Sequence, residues 1–146
     1  MLFRSRREAG PENVLYLHVT LVPYVDSAGE LKTKPTQHSV NELRRIGIHP
    51  DIVVCRSRDA ISTDVRDKIA LFADVESREV IANEDVSDVY LVPAALQEQG
   101  LDDLVCEKLG LPSGQADLGE WLELTERIRQ REGEVQIGRA SCRERV

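Results

Sequence analysis

The sequence predicts an α/β fold in which a parallel sheet is flanked by helices. Three apolar segments rich in β-branched residues alternate with segments whose apolar residues recur every three or four positions. The first pattern is typical of strands covered on both faces, and the second of amphipathic helices. An order of strand, helix, strand, helix, strand and further helices produces a parallel sheet, and such sheets bind ligands beyond the carboxyl ends of their strands.

The predicted strands are residues 14–22, 52–55 and 80–82. The first is a nearly continuous run of apolar and β-branched residues, which predicts a strand buried on both faces. His18 lies inside this strand, and we interpret it as a core histidine whose ring is satisfied by a hydrogen bond.

The first predicted helix follows the loop after the first strand. Its N-cap is either Thr36 or Ser39, and Ser39 would form a capping box with Glu42. Gly47 ends the helix. We attribute His38 to packing or to a hydrogen bond at the helix end rather than to acid–base chemistry. Three apolar residues share the inward face: Val40, Leu43 and Ile46.

Further helices follow the second and third strands. The second helix begins at Ser62 or Thr63 and has Lys68 on its flank, and a third turn begins at Pro93 and stops at Gly100. The inward face of the second helix is formed by Val65, Ile69 and Phe72. Two more helices are capped by Asp102 and by Asp117 with Glu120, and they carry Leu104, Val105, Leu109, Leu118, Trp121, Leu124 and Ile128.

The composition excludes several classes of protein. The chain has 26 acidic and 19 basic residues and a formal net charge of −7, which argues against nucleic acid as a partner. Residues 1–7 lack the apolar stretch of a secretory signal or membrane span. The three cysteines form no CxxC pair or disulfide framework, which fits a reduced, cytoplasmic protein without a zinc site.

The last ten residues break with the acidic, periodic character of the preceding chain. Residues 137–146 contain three arginines and one glutamate, and their codons can be read as a common sequencing-adapter oligonucleotide. We therefore interpret residues 137–146 as a non-native tail and base the fold prediction on residues 1–136.

The segment 29–39 predicts an anion-binding site. Lys32 and Lys34 precede Pro35 and a run of hydroxyl and amide side chains that opens a helix. The N–H groups of a helix start lack internal partners and carry partial positive charge, so two ammonium groups delivered there can hold phosphates. The alternative is an ordinary solvated turn, since lysines are usually surface residues.

The string from Gly29 to Leu43 closely resembles the pyrimidine-nucleotide segment of CTP synthase. Other segments follow in the order of that family, and the resemblance covers residues 12–130. These segments are Val19–Tyr24, Gly47–Ile52, Val54–Ser57, Lys68–Phe72, Val92–Pro93 and Gln99–Asp103.

The resemblance implies specific binding roles. It makes seven residues contacts to UTP and CTP: Lys32, Thr33, Lys34, Pro35, Thr36, Gln37 and Lys68. It places Glu84, Asp85 and Val86 beside the adenine of ATP, with Glu84 acting through its backbone. We assign no catalytic or metal-binding residue to this chain.

The resemblance also implies what the whole enzyme does. In this family ATP phosphorylates O4 of the UTP uracil, and ammonia from glutamine then displaces phosphate to give CTP. The fold implied is a P-loop NTPase-like, dethiobiotin synthetase-like synthetase domain, here truncated, with residues 1–136 as its C-terminal portion. The resemblance also implies that the family assembles as a homotetramer. The chain lacks a GxxxxGK[ST] loop. We expect that loop and the Mg²⁺ ligands to lie upstream and the glutaminase domain downstream, so that this piece alone is inactive.

Two other interpretations remain open from sequence. The chain could be a complete, non-catalytic module that binds a nucleotide or partner through residues 32–37, which an upstream stop codon would favour. It could also be another phosphoryl-transfer enzyme of the dethiobiotin synthetase kind, although the string Lys32–Gln37 is not expected there.

Overall fold

A parallel three-stranded sheet forms the centre of the computed structural model, which describes residues 2–114 and 116–130 and, in the first helix, the side chains from Arg6 onward. The strands are β1 (Leu17–Leu21), β2 (Tyr24–Val25), β3 (Glu30–Leu31), β4 (Ile52–Ser57) and β5 (Val80–Glu84). The helices are α1 (Leu2–Ala9), α2 (Lys34–Arg45), α3 (Thr63–Ala73), α4 (Val92–Glu98), α5 (Leu101–Leu109) and α6 (Gly119–Arg129). Short 3₁₀ turns occupy Pro11–Asn13, Ser77–Glu79 and Val89–Leu91.

The sheet has the order β1-β4-β5, and both pairings are parallel. Leu17 lies opposite Ile52, and Val53 lies opposite Val80, so the carboxyl ends of all three strands lie at one edge. The predicted α/β class with a parallel sheet and flanking helices is confirmed. None of the helices within the described ranges combines the length and apolar character needed to cross a membrane.

A core cluster lies on each side of the sheet. The larger one joins α2 and α3 to alternate residues of β4 and β5, and it contains Val22, Val40, Val53, Cys55, Ile61, Ile69, Ala70, Ala73, Val80 and Ala82. The smaller one joins α5 to the opposite face through Ile52, Val54, Ile81 and Leu104. Alternation of the strand residues between the clusters follows from the two-residue period of a strand.

The prediction that the first strand is buried on both faces is wrong. Leu17, Val19 and Leu21 are exposed, whereas Thr20 is buried. β1 has a neighbouring strand on one side within the described residues, and no described helix covers its outer face. The apolar composition of β1 therefore exceeds what its packing here requires.

Several predicted helix details change. Helix α2 begins at Lys34, with Pro35 in its first turn, so neither Thr36 nor Ser39 is the N-cap. The Thr36 hydroxyl instead donates to the Leu21 carbonyl at 3.0 Å, which ties α2 to the end of β1. Ile46 lies beyond the helix end and is exposed.

The remaining caps are a mixture of correct and wrong predictions. Helix α3 begins at Thr63, which confirms the predicted start at Ser62 or Thr63, and the Ser62 hydroxyl caps it by accepting a hydrogen bond from the Val65 N–H. Phe72 is exposed rather than on the inward face of α3. Gly100, whose backbone is in the left-handed conformation, is the N-cap of α5. Asp102 therefore lies within the first turn of α5 instead of capping it. Residues 137–146 lie outside the described part of the chain.

Candidate functional site

The loop after β1 delivers the predicted anion-binding residues to the carboxyl edge of the sheet. The chain leaves β1, forms the β2–β3 hairpin and enters α2 directly after Lys32 and Thr33. The Lys32 N–H donates to the Pro23 carbonyl at 2.9 Å, which fixes the backbone beside the sheet. The backbone N–H of Lys32 is thus already paired, and the side chain is the part of this residue that can bind another group.

Three lysines contribute to one cavity of about 420 Å³. Lys32 and Lys34 come from the start of α2, and Lys68 comes from the second turn of α3. We call this space the lysine cavity; its other lining residues are Glu30, Leu31, Thr33, Asp64 and Val65. The structure thus brings together lysines that lie more than thirty positions apart in sequence.

The other four residues predicted at the UTP site play different parts in the structure. Thr33 is buried and lines the lysine cavity, whereas Pro35, Thr36 and Gln37 are not among its lining residues. The Thr36 hydroxyl is used by Leu21, and the Gln37 side-chain amide donates to the Thr33 hydroxyl at 3.1 Å. These two side chains therefore hold the loop in shape instead of presenting free donors to the cavity.

Glu30 is an acidic residue that sequence reasoning did not assign to the site. Its carboxylate accepts a hydrogen bond from the Lys32 ammonium and lines the same cavity. The hydrogen bond and charge of Lys32, with a smaller contribution from Lys68, lower the pKa of Glu30. A signal did exist, because Glu30 lies two residues before Lys32, but the spacing alone does not show that both side chains turn to one side.

A second cavity of about 300 Å³ lies between the ends of β4 and β5. Glu84, Asp85 and Val86, the predicted adenine contacts, all line it. Arg56 also lines it and donates through Nε to the Asp85 carboxylate at 3.1 Å. We call this space the arginine cavity. Arg56 was missed as a site residue, because its approach to Asp85 depends on the β4–β5 pairing.

His18 and His38 line neither the lysine cavity nor the arginine cavity. The His18 ring forms a 2.9 Å hydrogen bond with the Ser39 hydroxyl, and partial burial lowers its pKa. The predicted hydrogen bond to the His18 ring is confirmed, although the residue is half-buried rather than fully in the core. His38 is exposed on α2, outside both cavities.

The described residues contain no group of three or more His, Cys, Asp or Glu side chains placed to hold a metal ion. The lysine cavity brings three ammonium groups together with the Glu30 and Asp64 carboxylates. The arginine cavity, on the same edge of the sheet, has one guanidinium beside two carboxylates. Ammonium groups are donors suited to phosphate oxygens, so the lysine cavity is the candidate anion site.

Comparison with known proteins gives the family. The family model described as CTP synthase N-terminus matches residues 2–111, which is most of the chain. The chain belongs to the CTP synthase family. The resemblance found in the sequence is thereby confirmed.

Individual proteins similar to this chain are also CTP synthases. The CTP synthase of Carboxydothermus hydrogenoformans is 53% identical over 133 residues, which cover 91% of this chain and 25% of that protein. The CTP synthase of Symbiobacterium thermophilum is 56% identical over 126 residues, covering 86% and 23%. That of Bacillus subtilis is 50% identical over 135 residues, covering 92% and 25%. The chain thus spans about a quarter of the length of these relatives.

Proposed function

We propose that this chain supplies the pyrimidine-nucleotide site of a ligase that converts UTP to CTP. The observation that carries the proposal is the convergence of Lys32, Lys34 and Lys68 on one cavity in an otherwise acidic protein. Ammonium groups are point charges suited to phosphate oxygens, and three of them match a triphosphate. The sheet edge is also where parallel α/β folds bind ligands.

In the proposed reaction, the uracil O4 of UTP attacks the γ-phosphorus of ATP and ADP leaves. Ammonia then adds at C4, the C4–O4 bond breaks and O4 leaves as part of inorganic phosphate. Loss of the uracil N3 proton and of one ammonia proton completes CTP. The role of this chain is to position UTP and to neutralise its phosphates, which lowers the barrier without any covalent contribution from the protein. Family membership supports the assignment of the substrate.

The arginine cavity is the proposed ATP-adenine site. Glu84, Asp85 and Val86 line it together, and the Arg56–Asp85 ion pair forms part of its wall. The proposal extends to the rest of the protein: Mg²⁺ with ATP, glutamine hydrolysis in a separate domain, a homotetramer, and a cytoplasmic location. These follow from the family and not from the cavities of this chain.

Calorimetric titration of UTP into the 146-residue chain tests the proposed pyrimidine site. Lys34→Ala and Lys68→Ala are each expected to weaken UTP binding roughly tenfold or more, because each removes a charge-assisted contact to phosphate. Both lysines are exposed, so the midpoint of thermal unfolding should shift little.

Arg45→Ala is the matched control. Arg45 lies on the same helix as Lys34 but at its other end, and its side chain is 75% exposed and pairs with Glu42. Removing this charge should leave UTP affinity nearly unchanged. Equal affinities for the chain, Lys34→Ala and Lys68→Ala would contradict the proposed site.

A further inference from the structure

We propose that the Glu30 carboxylate is an internal competitor of the nucleotide phosphates for Lys32. It acts as a built-in anion that the incoming triphosphate must displace, and it thereby sets the affinity of the lysine cavity. The inference rests on the proposed function, because it concerns the same site, and it adds a residue that regulates binding there.

The first support is the position of the pair. Glu30 and Lys32 both line the lysine cavity, and the Lys32 ammonium donates to the Glu30 carboxylate. The backbone of Lys32 is fixed by its hydrogen bond to Pro23, so binding a phosphate requires a change of partner by the side chain alone. Among the ion pairs of the described residues, Glu30–Lys32 is the one that engages a lysine of this cavity.

The second support is electrostatic. The pKa of Glu30 is lowered by the hydrogen bond and charge of Lys32 and further by the charge of Lys68. The carboxylate therefore stays negative at neutral pH and lies in the field of two of the three lysines proposed to bind phosphate. A negative group in that place repels any anion that approaches while it also occupies one of the donors.

The third support is that the competition is weak enough to be reversed. The Lys32 and Glu30 side chains are 40% and 59% exposed, and ion pairs this exposed contribute little stability. A third cavity, of about 510 Å³, shares Glu30, Leu31 and Val65 with the lysine cavity, so the displaced carboxylate has space to move into. A triphosphate carries several charges and can replace a single carboxylate.

The decisive variant is Glu30→Gln, which keeps the size of the side chain and removes its charge. UTP and inorganic tripolyphosphate are each titrated calorimetrically into the 146-residue chain and into the variant. We expect both ligands to bind roughly threefold to tenfold more tightly to Glu30→Gln, since the lysine is freed and the repulsion is lost. Glu42→Gln removes an exposed carboxylate on α2 that pairs with Arg45 outside the cavity, and it should change neither affinity.

A measurement on the unsubstituted chain gives an independent readout. The ¹³C resonance of the Glu30 side-chain carboxyl is followed during pH titration with and without tripolyphosphate. Tripolyphosphate should raise the pKa of Glu30, because the carboxyl loses Lys32 and gains a neighbouring polyanion. A merely structural role for Glu30 predicts no such rise.

The outcomes separate the two proposals. Equal affinities for the chain and Glu30→Gln, or a Glu30 pKa that tripolyphosphate leaves in place, overturn the competitor role while the nucleotide site stands. If neither protein binds UTP or tripolyphosphate, both proposals fail. If only Glu30→Gln binds, the competitor role is supported in its strongest form.

Discussion

Strands β1 and β4 have similar apolar sequences, lie side by side and yet differ sharply in burial. Val54 on β4 is 4% exposed, whereas Val19, its direct partner on β1, is 63% exposed. β4 lies between two strands and has a core cluster on each side. β1 has one strand neighbour, and only its alternate residues 18 and 20 turn toward the covered face.

The difference shows that the strands and helices packed around a strand, rather than its composition, determine how much of it is buried. A continuous apolar sequence allows a strand to be covered on both faces, but the topology determines whether other elements cover it. In β1 one face is left uncovered, and Leu17, Val19 and Leu21 form a stripe of exposed apolar side chains. Such a surface favours self-association.

Thiol reactivity should give the largest contrast between the strands. Burial raises the pKa of the Cys55 thiol on β4 to about 12. Because the thiolate is the reactive form, Cys55 should be alkylated at pH 8 roughly a thousandfold more slowly than a cysteine introduced by Val19→Cys. Mass spectrometry of the alkylated peptides, in a background where Cys106 and Cys142 are serine, gives both rates.

Urea provides the control for this experiment. In the unfolded chain both thiols should react at similar rates, so any difference in the native protein reflects burial. Rapid labelling of Cys55 under native conditions would show that β4 is not a closed central strand.

Stability should show the next largest contrast. Val54→Ala removes buried methyl groups between β4 and the α5 side of the core, and it should lower the free energy of unfolding by about 2 kcal/mol. Val19→Ala is the same substitution at the partner position, and it should cost less than about 0.5 kcal/mol. Urea unfolding measures both, and equal losses would mean that the outer face of β1 is covered in solution.

The sequence was sufficient where the signals are local. The three sheet strands, the start of α3 and the position of Lys32 and Lys34 before a helix follow from residues close together in the chain. The β2–β3 hairpin was missed because its strands have two residues each, too few to show a periodicity. The start of α2 was misplaced because Thr36, a good capping residue, makes a hydrogen bond to β1 instead.

The site was predicted in part for the same reason. Lys32 and Lys34 follow from the loop itself, whereas Lys68 is assigned only through the family resemblance, since its spacing on α3 by itself predicts a solvated helix flank. Arg56 pairs with Asp85, 29 positions away, and only the folded chain brings the two to one cavity. Glu30 is close to Lys32 in sequence, but its position beside Lys68 depends on the fold. Long-range convergence of charges is what a single sequence does not encode in any visible pattern.

The smallest effect, the pH dependence from His18, tests the covered face of β1. Burial lowers the pKa of His18 below its ordinary value of 6.5. Between that lowered value and about 6.5 the unfolded chain binds more protons than the folded one, so the free energy of unfolding should rise with pH in this window and then level off. Stability is correspondingly lost as the pH falls through it.

His18→Gln keeps a group that can bond to the Ser39 hydroxyl but removes the titration, so this part of the pH dependence should disappear. His38 and His49 are present in both proteins and cancel in the comparison. Urea unfolding at pH 5, 6 and 7 measures the difference, which should be smaller than that of Val54→Ala because His18 is only half-buried. Identical pH profiles would show that burial does not lower the His18 pKa, and the ring would then lie in solvent rather than between β1 and α2.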